Sequence, residues 1–90
     1  MAHFVMLCEV DEPEAWEQKF RTHGEIFRRM GGTATQFTID GNQVAMHVET
    51  ADLQTFLQIL QSEEIEQAMK DDGVRRETVR SWVLDREFSY

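Results

Sequence analysis

Thr33-Ala34-Thr35-Gln36-Phe37-Thr38-Ile39-Asp40-Gly41-Asn42-Gln43-Val44-Ala45-Met46-His47-Val48-Glu49 is the stretch on which the fold turns. Two alternating runs flank Asp40-Gly41-Asn42, a hairpin signal because glycine supplies the positive φ that a tight turn needs. In the first run Thr35, Phe37 and Ile39 alternate with Ala34, Gln36 and Thr38. In the second, Val44, Met46 and Val48 alternate with Ala45, His47 and Glu49. The first run is the more polar and reads as an edge strand.

Outward from this hairpin the chain repeats itself. Upstream stand a strand, His3–Val10, and a long amphipathic helix, Pro13–Met30. Downstream stand a helix, Leu53–Asp72, and a strand, Glu77–Leu84. The order is β-α-β-β-α-β, and it fills residues 1–90 as a single domain. His3–Val10 is apolar on both alternating faces, with Phe4, Met6, Cys8 and Val10 on one and Val5 and Leu7 on the other, so it reads as a central strand. Asp11 is the expected N-cap of the first helix, with Pro13 in the first turn. Trp16, Phe20, His23, Phe27 and Met30 form one narrow stripe at about 100° per residue. Gly31-Gly32 ends that helix, with one glycine left-handed. Thr50 or Asp52 caps the second helix. Its first stripe, Leu53, Phe56, Leu57 and Leu60, is offset from Ile65, Ala68 and Met69 by roughly 120°. That drift predicts a break near Gln61-Ser62, with Ser62 capping the restart.

Such an order, with right-handed crossovers, gives an α+β fold: a four-stranded antiparallel sheet with both helices on one face, the ferredoxin-like arrangement. The opposite face is then bare in a monomer and carries Trp82 and Leu84. An exposed apolar patch of that kind marks an interface, and a homodimer closing sheet on sheet is the simplest solution. A chain of 90 residues buries only about 60–65% of its unfolded surface, so partner burial would help.

Charge narrows the partners. The chain holds 17 Asp and Glu against 9 Lys and Arg, a net charge of −8. Nucleic acid and anionic membranes both need basic surface, so neither is an expected partner. The single Cys8 cannot form an internal disulfide and fits a reducing compartment. No signal peptide or membrane-length apolar run is present, and a cytoplasmic location is expected. The third strand lacks the aromatics on which an RNA-recognition module stacks bases. Cys8 has no second cysteine at the spacing a metal chaperone uses.

Trp16-x3-Phe20-x2-His23, the Asp40-Gly41-Asn42 hairpin with Val44 to Glu49, and the helix restart Ser62 to Asp72 ending at Gly73-Val74 together resemble the dimeric αβ-barrel superfamily, in particular its small uncharacterised bacterial members. The resemblance spans nearly the whole chain. It implies a homodimer whose sheets pack into a barrel, with pockets lined by sheet and helix residues. The superfamily includes cofactor-free monooxygenases, haem-degrading enzymes, lactone isomerases and polyketide cyclases, and no motif here singles out one of them.

His23 is the first candidate catalytic residue. It sits within the aromatic stripe and faces the sheet, where a buried imidazole needs a hydrogen-bond partner. An imidazole suits proton abstraction from a small acidic substrate. The plainer alternative is a core histidine bonded to a backbone carbonyl or a strand residue. His47 and Glu49 share one strand face; Arg80 and Trp82 share another. If both are the non-helical face they meet inside the barrel, where Arg80 could anchor a substrate carboxylate and Trp82 form an apolar wall. The plainer alternative is an interfacial Glu49–Arg80 salt bridge. Trp16 completes the expected substrate-binding set. The three histidines and one cysteine show no ligand spacing, so no metal is expected. A single histidine suffices for haem, which leaves His23 or His47 as an axial ligand the lesser reading, and no cofactor is expected. The function expected is small-molecule binding between sheet and helices, with monooxygenase- or isomerase-like cofactor-free chemistry; the competing class is a non-catalytic dimerising or ligand-sensing module.

Overall fold

The computed structural model describes residues Met1–Tyr90. Four strands form one antiparallel sheet: β1 (Ala2–Val10), β2 (Gly32–Asp40), β3 (Gln43–Thr50) and β4 (Val74–Val83), in the spatial order β2-β3-β1-β4. The fold is α+β and ferredoxin-like, as expected, and β2 lies on an edge. β1 is central, and Phe4, Met6, Cys8 and Val10 are all buried on its helix-facing side. Val44, Met46 and Val48 of β3 continue that surface, paired across from Cys8, Met6 and Phe4.

The helical layer is more divided than its periodicity predicts. The long first helix is two short ones, α1 (Pro13–Phe20) and α2 (Gly24–Arg29). Tighter i→i−3 bonds close α1: Thr22 N–H donates to the Lys19 carbonyl and His23 N–H to the Phe20 carbonyl, each at 3.0 Å. The Thr22 hydroxyl donates to the Lys19 carbonyl as well, at 2.6 Å, competing with continuation of the helix. Gly24 then removes the side chain that would favour carrying on. The stripe hid this break because Phe20 and Phe27 still meet edge to face, 5.4 Å between centroids.

The second helix breaks where expected, into α3 (Leu53–Leu60) and α4 (Glu63–Asp71). The Ser62 hydroxyl accepts from Ile65 N–H, and Asp52 caps α3 by accepting from Thr55 N–H. Gly31 is the left-handed glycine after α2, at φ +80°. Asp11 does not cap α1. Glu12 occupies that position without a side-chain bond, and the Asp11 carboxylate instead accepts from Arg75 Nε at 2.8 Å.

The last strand also differs from its sequence reading. It starts at Val74 rather than Glu77 and carries a wide irregularity. Leu7 pairs with Arg80, yet Glu9 pairs with Arg75, so extra β4 residues bulge out opposite Cys8. Thr78 ties the bulge down: its hydroxyl accepts from Glu9 N–H and donates to the Arg75 carbonyl. The bulge bends an edge strand away from its neighbour, which opens space beside α4.

Candidate active site

Between the sheet and the helices lies a cavity of about 70 Å³. A single water needs about 10–15 Å³ of such space, so this one admits a small group. Of its 17 lining residues 15 are hydrophobic, and the two others are His23 and Asp72. Trp16, 2% exposed, forms part of the wall and stacks on Phe20 at 4.8 Å between centroids. Met6 and Met46 supply the sheet side.

The polar end of the cavity is built by two helix termini. His23 stands at the N-cap of α2, in the break after α1. Asp72 stands at the C-cap of α4, just before left-handed Gly73 at φ +79°. His23 Nε2 and Asp72 Oδ2 are 2.9 Å apart, and the Asp72 side chain is only 7% exposed. A helix C-terminus is the wrong end for an anion, and a buried carboxylate needs a donor. His23 supplies that donor. With Nε2–H directed at Asp72, the lone pair sits on Nδ1. The dyad therefore has the form of a carboxylate-oriented imidazole base at the edge of an apolar cavity.

Of the residues expected from the sequence, His23 and Trp16 line this cavity; Asp72, which also lines it, was not among them. One signal was present: Asp71-Asp72-Gly73 puts acids against the negative end of a helix, a placement that asks for a compensating partner.

The remaining candidates lie on the other side of the sheet. His47, Val5 and Trp82 form one row across β3, β1 and β4 on the open face. Arg80 and Trp82 lie on the open face expected for them, which corrects the expectation that they anchor and wall the pocket of His23: the sheet stands between, because Ser81 and Val83 alternate onto the helix side opposite Met6 and Phe4. Glu49 and Arg80 do not meet within the chain either. Glu49 pairs with His3 and Arg80 with Leu7, four residues and about 13 Å apart along β1. His47 instead stacks on His3, with centroids 5.1 Å apart and His47 Nε2 3.1 Å from His3 Nδ1. Arg80 borders a separate hollow with Glu9, Asp40 and Glu77.

Other reactive groups are ruled by burial or spacing. The Cys8 thiol is buried, which pushes its pKa up and withholds the thiolate. No three His, Cys, Asp or Glu side chains converge as a metal-binding group. No helix is long and apolar enough to cross a membrane.

Solved structures of the same fold cover almost the whole chain. SnoaB, a cofactor-independent oxygenase from Streptomyces nogalater, matches with a TM-score of 0.74 at 16% identity, over 98% of this chain and 94% of that one. A monooxygenase from the gene ActVA-Orf6 of Streptomyces coelicolor, solved with Nanaomycin D, matches with a TM-score of 0.65 at 11% identity, over 99% and 89%. A dimeric ferredoxin-like protein from an uncultured marine organism matches with a TM-score of 0.59 at 12% identity, over 99% and 92%. No family model matches the chain, and no curated protein matches it. At these identities the likeness is one of fold: the chain shares the ferredoxin-like fold of these structures.

Proposed function

We propose that this chain is a cofactor-free oxygenase that works as a homodimer on a small, weakly acidic substrate held in the cavity between sheet and helices. The observation that carries the reading is the His23–Asp72 dyad, the one polar feature of an otherwise apolar cavity. The fold shared with a cofactor-independent oxygenase supports it, while fold alone decides no chemistry.

The geometry fits proton abstraction next to a carbonyl. His23 Nδ1 takes a proton from an activated methylene C–H, and Asp72 stabilises the resulting imidazolium. Apolar walls keep water from the carbanion. The carbanion reduces molecular oxygen, a C–O bond forms, and the peroxide takes back the proton from His23. Loss of water, with the second methylene hydrogen and the outer peroxide oxygen, then leaves a carbonyl. In sum the methylene compound and molecular oxygen give the ketone and water, with one oxygen atom in each product.

The open sheet face is the surface for a second copy. Leu7 is 45% and Trp82 50% exposed there, beside half-buried Val5 and Ala45. Burying that patch gives the barrel its closed form. A reducing, cytoplasmic setting suits the lone buried thiol.

The test uses small cyclic 1,3-diketones and ketones with labelled oxygen gas and no added cofactor. Turnover with one labelled atom in the product supports the reading. His23→Gln keeps a donor for Asp72 but removes the base, and a loss of about 10²- to 10⁴-fold in kcat with the dimer intact is expected. His23→Ala should likewise lose turnover and keep the dimer; unfolding or loss of the dimer would make His23 structural. A non-catalytic ligand-binding module is the second reading. It is favoured by the fact that His23 and Asp72 already satisfy one another, and ligand binding without oxygen uptake would select it.

A further inference from the structure

The cavity does not end at its apolar walls. A groove of about 300 Å³ runs between α4 and the bulged edge strand β4, and it shares Met6, Leu60, Ile65 and Met69 with the cavity. Its character is different. Gln61, Ser62, Glu66, Arg76 and Ser81 make half of its lining polar. The groove exists because the β4 bulge draws the edge strand aside and because Ser62 and Ser81 are small where α4 and β4 face each other.

Arg76 is more loosely paired than four other arginines. Arg21, Arg28, Arg29 and Arg75 each hold a carboxylate at 2.7–2.8 Å. Arg76 Nη1 is 3.5 Å from Glu66 Oε1, with the two side chains 47% and 66% exposed. An exposed pair at that separation is weak, and Glu66 is free to swing into water. The Arg76 fork is thus available to a better-placed anion, for which a bidentate carboxylate is the natural match. Glu66 and Arg76 are the only charged residues of the groove.

We infer that the substrate has two parts, an apolar acidic head in the cavity and a carboxylate-bearing arm that lies along the groove and is held by Arg76. Arg76 is then a specificity-determining residue that contacts substrate away from the reacting atoms. The dimensions agree. Six residues of α4 separate Glu66, the neighbour of Arg76, from Asp72, which at the helical rise is about 9 Å. A phenol with a three-carbon acid tail covers that span. The inference rests on the proposed use of the cavity as the substrate site.

The test compares 3-(4-hydroxyphenyl)propanoate with 4-propylphenol, which has the same head and a neutral arm. Binding is followed by calorimetry and by the NMR resonances of the His23 ring. For the wild type, the acid should bind at least tenfold more tightly than the neutral probe, with the advantage shrinking as salt rises. Arg76→Gln should erase that advantage and change 4-propylphenol affinity less than twofold. Arg76→Lys should restore part of it, and Glu66→Gln should strengthen acid binding severalfold by removing the competing carboxylate. Equal affinities for the two probes, or an equal loss of both in Arg76→Gln, would overturn the arm while 4-propylphenol still moves the His23 ring. If neither probe moves that ring, the cavity reading fails and the arm falls with it.

Discussion

His23 Nε2 meets Asp72 Oδ2 at 2.9 Å across 49 positions of the chain, tying the start of α2 to the end of α4. Two helix termini are held together by one contact, and Asp72 makes no other side-chain hydrogen bond in the structure. Loss of His23 leaves a buried acceptor with no donor. We expect His23→Ala to cost about 1–3 kcal/mol in urea unfolding. Asp72→Ala in the same background should add much less than it costs alone, because the group that suffered is gone. Additive losses would show that the two side chains do not depend on each other.

The open sheet face supplies the second prediction. Trp82 lies beside Val5 and His47 on a surface with no covering element. Trp82→Glu places a charge in the surface assigned to the second copy, and burying an unpaired charge is costly. The variant should sediment as a monomer where the parent sediments as a dimer. A parent chain that is monomeric at working concentration removes the barrel.

Two glycines should respond in opposite directions. Gly31 has φ +80°, and a Cβ there would lie 3.3 Å from both Asp52 Cβ and Thr50 Oγ1. Thr50 is buried and bonds the Met30 and Gly31 carbonyls, so it has little room to yield. Gly31→Ala should therefore lose about 1–2 kcal/mol from the left-handed backbone alone. Gly24 has ordinary φ and open space around it. Gly24→Ala should be neutral or stabilising by up to about 1 kcal/mol, because alanine favours the start of α2. Thermal melts of the two variants check both signs.

The α3 cap makes stability depend on acid. The Asp52 carboxyl is held below its ordinary value of 3.8, first by the Thr55 hydroxyl and then by the Thr55 N–H. A carboxyl depressed on folding stabilises the native state above its unfolded pKa, and that contribution fades as pH falls through the lower, folded value. Asp52→Ala should thus melt lower than the parent near neutrality. The gap should narrow progressively below about pH 4. A gap that persists unchanged into strong acid would mean that the charge is irrelevant to the cap.

What was legible in the chain was local. Phe4, Met6, Cys8 and Val10 announce a buried strand face by period two, and the structure buries all four. Ser62 announces a helix restart by its short polar side chain, and its hydroxyl does accept from Ile65 N–H. The α1–α2 break was not legible in the apolar stripe, because Thr22 and Gly24 interrupt the backbone while Phe20 and Phe27 keep their common face. Asp11 matched a cap by position, yet Arg75, from the far end of the chain, took its carboxylate.

From its residues alone the chain determined the order of strands and helices, the central place of β1 and the membership of His23 in the aromatic stripe with Trp16 and Phe20, since these follow from periodicity and turn chemistry within a few neighbours. Only the tertiary structure decided that Asp72 stands beside His23 and that Arg80 and Trp82, on the open face expected for them, share no pocket with His23. The first depends on how two helix ends dock across the core, and the second on the sheet that stands between. Neither is written in any short stretch, because each is set by contacts between segments far apart in the chain.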